Sequence, residues 1–160
     1  MRRRVAFIVL SDRAAAGERA DGCIPVLRER LHDLYEIVRE VVIGDDASAL
    51  QAELIDLSDR SIADLILTSG GTGLAARDRT PQATLAILDY EVPGIAEAIR
   101  AASIPIVATA MLSRAVAGVR HRTLIVNLPG SPKAVGEALD IAAAVFPHAL
   151  ELLAGEVTDG

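Results

Sequence analysis

The chain has 160 residues, 51% of them hydrophobic and 24% charged, with a net charge of −6. That length supports one domain, residues 1–160, with an aliphatic core that buries about 70% of the unfolded surface, and the acidic balance argues against general nucleic-acid binding through phosphate neutralisation. Two Phe, two Tyr and no Trp leave no base-stacking platform, and the one cysteine, Cys23, excludes an internal disulfide or a cysteine-rich metal site.

No apolar run approaches the length of a membrane span. Val5 to Leu10 is also too short for the core of a signal peptide and meets Ser11-Asp12-Arg13 at once, so the cytoplasm is the expected compartment.

Arg2-Arg3-Arg4 reads as a solvated end, and Val5 to Leu10 as a buried strand. Asp21 to Leu34 reads as a helix, with Val26, Leu27, Leu31 and Leu34 at helical spacing. Tyr35 to Ile43 alternates as a strand does. Asp46 can cap a helix reaching about Ser58, and Ala63 to Leu67 forms the next strand.

That strand runs straight into Gly70-Gly71-Thr72-Gly73, followed by Arg77-Asp78-Arg79-Thr80-Pro81. Glycines let backbone N–H groups turn inward and approach a phosphate closely, and a carboxylate beside them can hold a cation against the same phosphate. The loop has the character of a site for a phosphorylated ligand with magnesium; a plain tight connection is the alternative. It lacks the lysine of a Walker-type loop. Gly71 to Ala76 formally fits a relaxed dinucleotide fingerprint, but that fingerprint opens its helix inside the glycine turn. Here the helix signal comes later, with Thr80 expected as N-cap and Pro81 as first helical residue.

Helices are expected from Pro81 and over Pro93 to Ala102, then an extended apolar run from Ile104 to Met111. Ala115 to Val119 and Thr123 to Leu128 flank Arg120-His121-Arg122 as a hairpin. An alanine-rich helix follows from Pro132 towards Leu153, with a break expected at Pro147. Alternating strands and helices imply an α/β fold: three layers around a mostly parallel sheet with an antiparallel hairpin.

Asn127-Leu128-Pro129-Gly130-Ser131-Pro132-Lys133 repeats the design of the first loop. Ser131 is the expected N-cap, at a helix end that favours anions. Lys133 is the one lysine beside 15 arginines; in the first helical turn it opposes the dipole, a mild cost that a bound anion would relieve. Loops leaving the carboxyl ends of parallel strands share an edge. Asp45 and Asp46, the Gly70 to Asp78 loop and Asn127 to Lys133 are therefore expected around one pocket. Carboxylates beside polyphosphate imply a divalent cation.

These motifs, with Val9-Leu10-Ser11-Asp12-Arg13, Met111-Leu112-Ser113-Arg114 and Ala117-Gly118, resemble the molybdopterin adenylyltransferase family of molybdenum cofactor biosynthesis, over nearly the whole chain. The resemblance implies a three-layer α/β fold and a homotrimer. It implies transfer of AMP from Mg-ATP to the terminal phosphate of molybdopterin, with release of pyrophosphate and delivery of the product to a downstream molybdenum-insertion enzyme. Residue by residue, it makes Asp78 and Asp45 the catalytic, magnesium-holding carboxylates. It assigns Gly70, Gly71, Thr72 and Gly73, with Pro129, Gly130, Ser131 and Lys133, to the nucleotide and its phosphates, and Ser103, Ser113 and Asn127 to the pterin.

The chain departs from the family at Leu74, where many relatives have proline, and at Gly44-Asp45-Asp46, which leaves Asp45 or Asp46 as the functional carboxylate; spacing to the glycine loop favours Asp45. A non-catalytic pterin-binding paralogue is the alternative reading, and a related domain adapted to another nucleotide, as in competence-damage proteins, is a third.

Overall fold

The structure is a computed structural model and describes residues 1–157. Six strands form one sheet in the order β2-β1-β3-β6-β5-β4: β1 (Arg3–Leu10), β2 (Tyr35–Ile43), β3 (Leu65–Ser69), β4 (Tyr90–Glu91), β5 (Ala117–Arg120) and β6 (Thr123–Leu128). β2, β1, β3 and β6 run parallel, and the expected hairpin adds β5 and β4 antiparallel. The four parallel strands therefore deliver their carboxyl ends to one edge.

Period-two alternation divides the core between the two faces. Val5, Phe7 and Val9 of β1, with Leu65, Leu67, Leu124 and Val126, meet the helices α2 (Cys23–Leu31), α5 (Pro93–Ser103), α6 (Pro132–Ala142) and α7 (Phe146–Ala154). Ala6, Ile8, Leu10, Ile66 and Ile125 meet α3 (Ala47–Asp59) and α4 (Thr80–Leu85) on the other face. This is the three-layer α/β arrangement the alternation of elements implied. Leu50, Leu54 and Leu57 repeat at helical spacing on α3 and are fully buried, each contributing about 2 kcal/mol of transfer free energy.

Local structure departs from the sequence reading in four places. A short helix, α1 (Asp12–Ala15), follows β1, started by the Ser11 hydroxyl, which accepts from Ala14 N. Asp21 stands before α2 rather than within it, its carboxylate accepting from the N–H groups of Cys23 and Ile24. Thr80 is the first residue of α4, behind Arg79 as N-cap; its hydroxyl donates to Gly70 O at 2.9 Å, so it serves the glycine loop instead of the cap. Residues 104–112 are not extended but turn into a 3-10 helix at Ala108–Leu112, because no neighbouring strand offers them a ladder. The expected break near Pro147 is present: α6 ends at Ala142 and α7 begins at Phe146 with proline in its first turn.

Candidate functional site

Gly70 and Gly71 take φ of +99° and +70°, a region in which glycine alone is unstrained. A side-chain carbon at Gly70 would lie 2.4 Å from Leu10 O, and one at Gly71 would lie 2.3 Å from the Thr80 hydroxyl. The turn is folded against both neighbours. Thr80 N donates to Gly71 O, and Gly70 N donates to Leu128 O. The N–H groups of Gly71, Thr72 and Gly73 have no acceptor among the described residues. They are the unpaired donors that a phosphate cradle requires.

The second loop touches the first. Ser69 Oγ donates to Pro129 O at 2.7 Å, and Gly130 lies against the Gly70 backbone, leaving 3.3 Å where a side chain would start. Ser131 caps α6 by accepting from Ala134 N, as expected.

Asp45 and Asp46 have different tasks. Asp46 caps α3, accepting from the N–H groups of Ser48 and Ala49. Asp45 faces the glycine loop, its Oδ1 3.7 Å from where a Gly71 side chain would start, and its side chain is 9% exposed. Burial pushes the Asp45 carboxyl above the usual carboxylate range, and the carboxylates of Asp12 and Asp78 push the same way, against a backbone hydrogen bond from Asp12 and the charge of Arg77. Arg77 is only 3.9 Å away at its nearest and mostly exposed. Asp78 folds back on its own loop, with Oδ2 accepting from Ala75 N at 3.0 Å and lying 3.0 Å from where a Gly73 side chain would start.

Two positioning residues were not singled out by sequence reasoning. Asp12 Oδ1 accepts the N–H of Asp45 at 2.8 Å. Arg114 clamps the glycine loop: its backbone N–H donates to Thr72 O, its Nε to Gly73 O and its Nη2 to Asp78 O, at 2.9, 2.9 and 2.6 Å. Both stand inside recognisable motifs, but nothing in their spacing reveals what they hold.

Beside the loop, lined by Thr72 and Gly73 but not by Asp45, lies a pocket of about 240 Å³ with largely apolar walls. Thr72, Gly73, Ser103, Ser113, Asn127 and Pro129 all border it, so the three residues expected at the pterin are brought together. Their own bonds are local: Ser103 Oγ donates to Ile99 O, and Ser113 Oγ accepts from Ala115 N. Asn127 gives both Nδ2 hydrogens to the hydroxyls of Thr68 and Thr84 while its Oδ1 accepts from Val116 N. It braces the strand ends more than it offers donors to a ligand.

Gly130 and Ser131 border a second cavity of about 330 Å³, with Ser11, Arg19, Asp21 and Cys23. Lys133 joins neither group. It is 83% exposed, 3.8 Å from Glu137 one turn along α6.

Among the described residues, no three or more His, Cys, Asp or Glu side chains are grouped to hold a metal by themselves, and no helix is long and apolar enough to cross a membrane.

Residues 6–148 match the family described as "Probable molybdopterin binding domain". The chain is 42% identical to the molybdopterin adenylyltransferase of Escherichia coli (strain K12) over 140 residues, 86% of this chain and 72% of that one. It is 37% identical to the molybdopterin adenylyltransferase of Helicobacter pylori (strain ATCC 700392 / 26695) over 155 residues, 94% of this chain and 88% of that one. Its structure superposes on the molybdopterin biosynthesis enzyme MoaB from Thermus thermophilus with a TM-score of 0.90 at 47% identity, covering 96% of this chain and 97% of that one. On fold, loops and sequence alike, the chain belongs to the molybdopterin-binding domain family.

Proposed function

We propose that this protein, acting as one domain, is a molybdopterin adenylyltransferase: an oxygen of the terminal phosphate of molybdopterin attacks the α-phosphorus of ATP, the bond to the β-phosphate oxygen breaks, and pyrophosphate leaves. The observation that carries the reading is the unpaired N–H row of Gly71, Thr72 and Gly73, with the Asp45 carboxylate beside Gly71 and an apolar pocket beside Thr72 and Gly73. The first feature suits a polyphosphate, the second a cation, and the third a ring. The relatives' names supply the identity of the two substrates.

The nucleophile is already a phosphate oxygen, so no activated serine or cysteine is needed, and catalysis reduces to positioning and charge neutralisation. In this reading Gly70 to Gly73 hold the ATP phosphates, and Pro129, Gly130 and Ser131 line the path to the cavity beside α2, where the rest of the nucleotide rests. Ser103 and Ser113 face the pterin, with Asn127 fixing the wall behind them.

Asp45 and Asp78 suit Mg²⁺: both are hard oxygen donors, and a magnesium site takes one or two carboxylates and leaves its other positions to water and phosphate. A largely buried carboxylate flanked by Asp12 and Asp78, with one mostly exposed Arg77 at 3.9 Å to offset it, is short of positive charge. Magnesium would supply charge neutralisation at the transferred phosphate; Asp45 and Asp78 would orient it rather than move protons. Lys133, turned towards Glu137, has at most a long-range part.

Assembly as a homotrimer fits the exposed Ile106, Val107, Met111 and Leu112, and the cytoplasm is the compartment in which a downstream molybdenum-insertion enzyme would take up the product. The test is pyrophosphate release. It is expected only when ATP, Mg²⁺ and molybdopterin are all present; tight pterin binding with no pyrophosphate would favour the binding-only paralogue.

A further inference from the structure

Among the described residues, Asp45 is the least exposed carboxylate in any ion pair, yet its pair is one of the loosest. Arg77 Nε stands 3.9 Å from Oδ2, beyond hydrogen-bond reach, and 69% of the Arg77 side chain is in solvent. Glu40 and Asp64, next in burial, each hold an arginine through two side-chain hydrogen bonds, from Arg28 and Arg4. No other cation pairs with Asp45 among the described residues.

The looseness lies in the side chain and not in the loop. Arg114 fixes the base of the loop through Gly73 O and Asp78 O, while Leu74, Ala75, Ala76 and Arg77 between them are all exposed. An exposed pair at this distance contributes less than about 1 kcal/mol, so Arg77 leaves Asp45 at little cost. Asp45 itself still needs positive charge beside Asp12 and Asp78, and a divalent cation meets that need better than one guanidinium. The same loop carries the unpaired N–H groups of Gly71, Thr72 and Gly73. A guanidinium released from Asp45 therefore stays next to the phosphate cradle, with a planar fork of donors that matches two phosphate oxygens.

We infer that Arg77 is an exchangeable counter-ion: it neutralises Asp45 when no metal is bound, yields that carboxylate to a divalent cation, and passes to the phosphates that leave as pyrophosphate. This rests on the adenylyl-transfer reading and adds the residue that meets the leaving group, where negative charge builds as the bond to the α-phosphorus breaks. The exchange gives Arg77 two effects of opposite sign. It competes with the metal for Asp45 and so weakens metal binding. It donates to the phosphates and so strengthens theirs. A side chain that only stabilised the loop would move neither affinity in this way.

The experiment measures two affinities on wild-type, Arg77→Ala and Arg77→Lys protein: Mn²⁺ alone by electron paramagnetic resonance, and Mg-pyrophosphate by calorimetry. Arg77→Ala is expected to bind Mn²⁺ about 3- to 10-fold more tightly and Mg-pyrophosphate about 10-fold more weakly, with an unchanged unfolding midpoint. Arg77→Lys keeps the charge, so its Mn²⁺ affinity should stay near wild type. It lacks the fork, so its pyrophosphate affinity should recover only in part. Mn²⁺ binding that is unchanged or weaker in Arg77→Ala, pyrophosphate binding that is unchanged, or a wild-type protein that binds no Mn²⁺ overturns the inference. Pyrophosphate release from ATP and molybdopterin, measured on the same wild-type preparation, separates the two claims. Turnover without the opposed shifts removes only the exchange at Arg77. Opposed shifts without turnover support the exchange and remove only adenylyl transfer.

Discussion

The carboxylate of Asp12 accepts the backbone N–H of Asp45 at 2.8 Å, which turns the Asp45 side chain towards the glycine loop while its neighbour Asp46 turns to the first turn of α3. Adjacent aspartates are thereby split into a charge held at the site and a helix cap. Asp45→Asn is expected to lower turnover by about 100-fold or more. It is also expected to raise the stability of the metal-free protein by about 0.5–1 kcal/mol, because it removes a buried carboxylate crowded by two others. Asp46→Ala should do the reverse, costing about 1 kcal/mol through the lost cap and leaving turnover near wild type. Denaturant melts in EDTA and steady-state rates on both variants check the pair.

Arg114 ties Gly73 to Asp78 through one guanidinium. Arg114→Ala is expected to cost about 1.5–3 kcal/mol of stability from the lost charged hydrogen bonds and to lower kcat about 10- to 100-fold through a loosened loop. Arg114→Lys restores charge but not the two-pronged reach, so kcat should recover only in part. A kcat unchanged in both variants would show that the clamp does not position Asp78.

Gly71→Ala places a side chain at φ +70° and 2.3 Å from the Thr80 hydroxyl. The expected cost exceeds about 1 kcal/mol, accompanied by weakened ATP binding. Calorimetry of unfolding and of nucleotide binding reads both. Gly17, also at positive φ but in open space, is the control: Gly17→Ala should cost stability alone.

The amino-terminal end of the sheet carries the acid sensitivity. Burial pushes the Asp64 carboxyl up, but hydrogen bonds from the Arg4 side chain and backbone outweigh it and hold the group below the usual carboxylate range. A depressed folded-state pKa contributes stability that is fully present above the unfolded value of about 3.9 and is lost as pH falls through the lower folded value. Asp64→Asn should therefore lower stability by about 1–2 kcal/mol at pH 7, with the gap to wild type closing as the pH falls below about 3.9. Urea midpoints across pH 2–7 measure it.

Periodicity and turn chemistry made the strands, the hairpin, the Asp46 and Ser131 caps and the break near Pro147 legible, because each follows from local residue preferences. Residues 104–112 misled for the same reason. An apolar run reads as a strand, and only the absence of a partner strand makes it turn. Thr80 misled because a hydroxyl before proline signals a cap, whereas here it donates to Gly70 O. The sequence pointed to Asp45, Asp78 and the two glycine-containing loops, since phosphate and cation chemistry demand those residue types. It did not reveal what Asp12 and Arg114 hold. Each acts through a partner 33 or 36 residues away, brought beside it only by the fold.

The central claim is tested most directly by mass spectrometry of the pterin recovered after incubating wild-type and Asp78→Asn protein with molybdopterin and Mg-ATP. The account requires a product heavier by one adenylyl group from the wild type, absent without magnesium and strongly reduced in the folded Asp78→Asn variant. Pterin recovered unmodified from a folded wild-type protein that binds it, or equal product from both proteins, would contradict it.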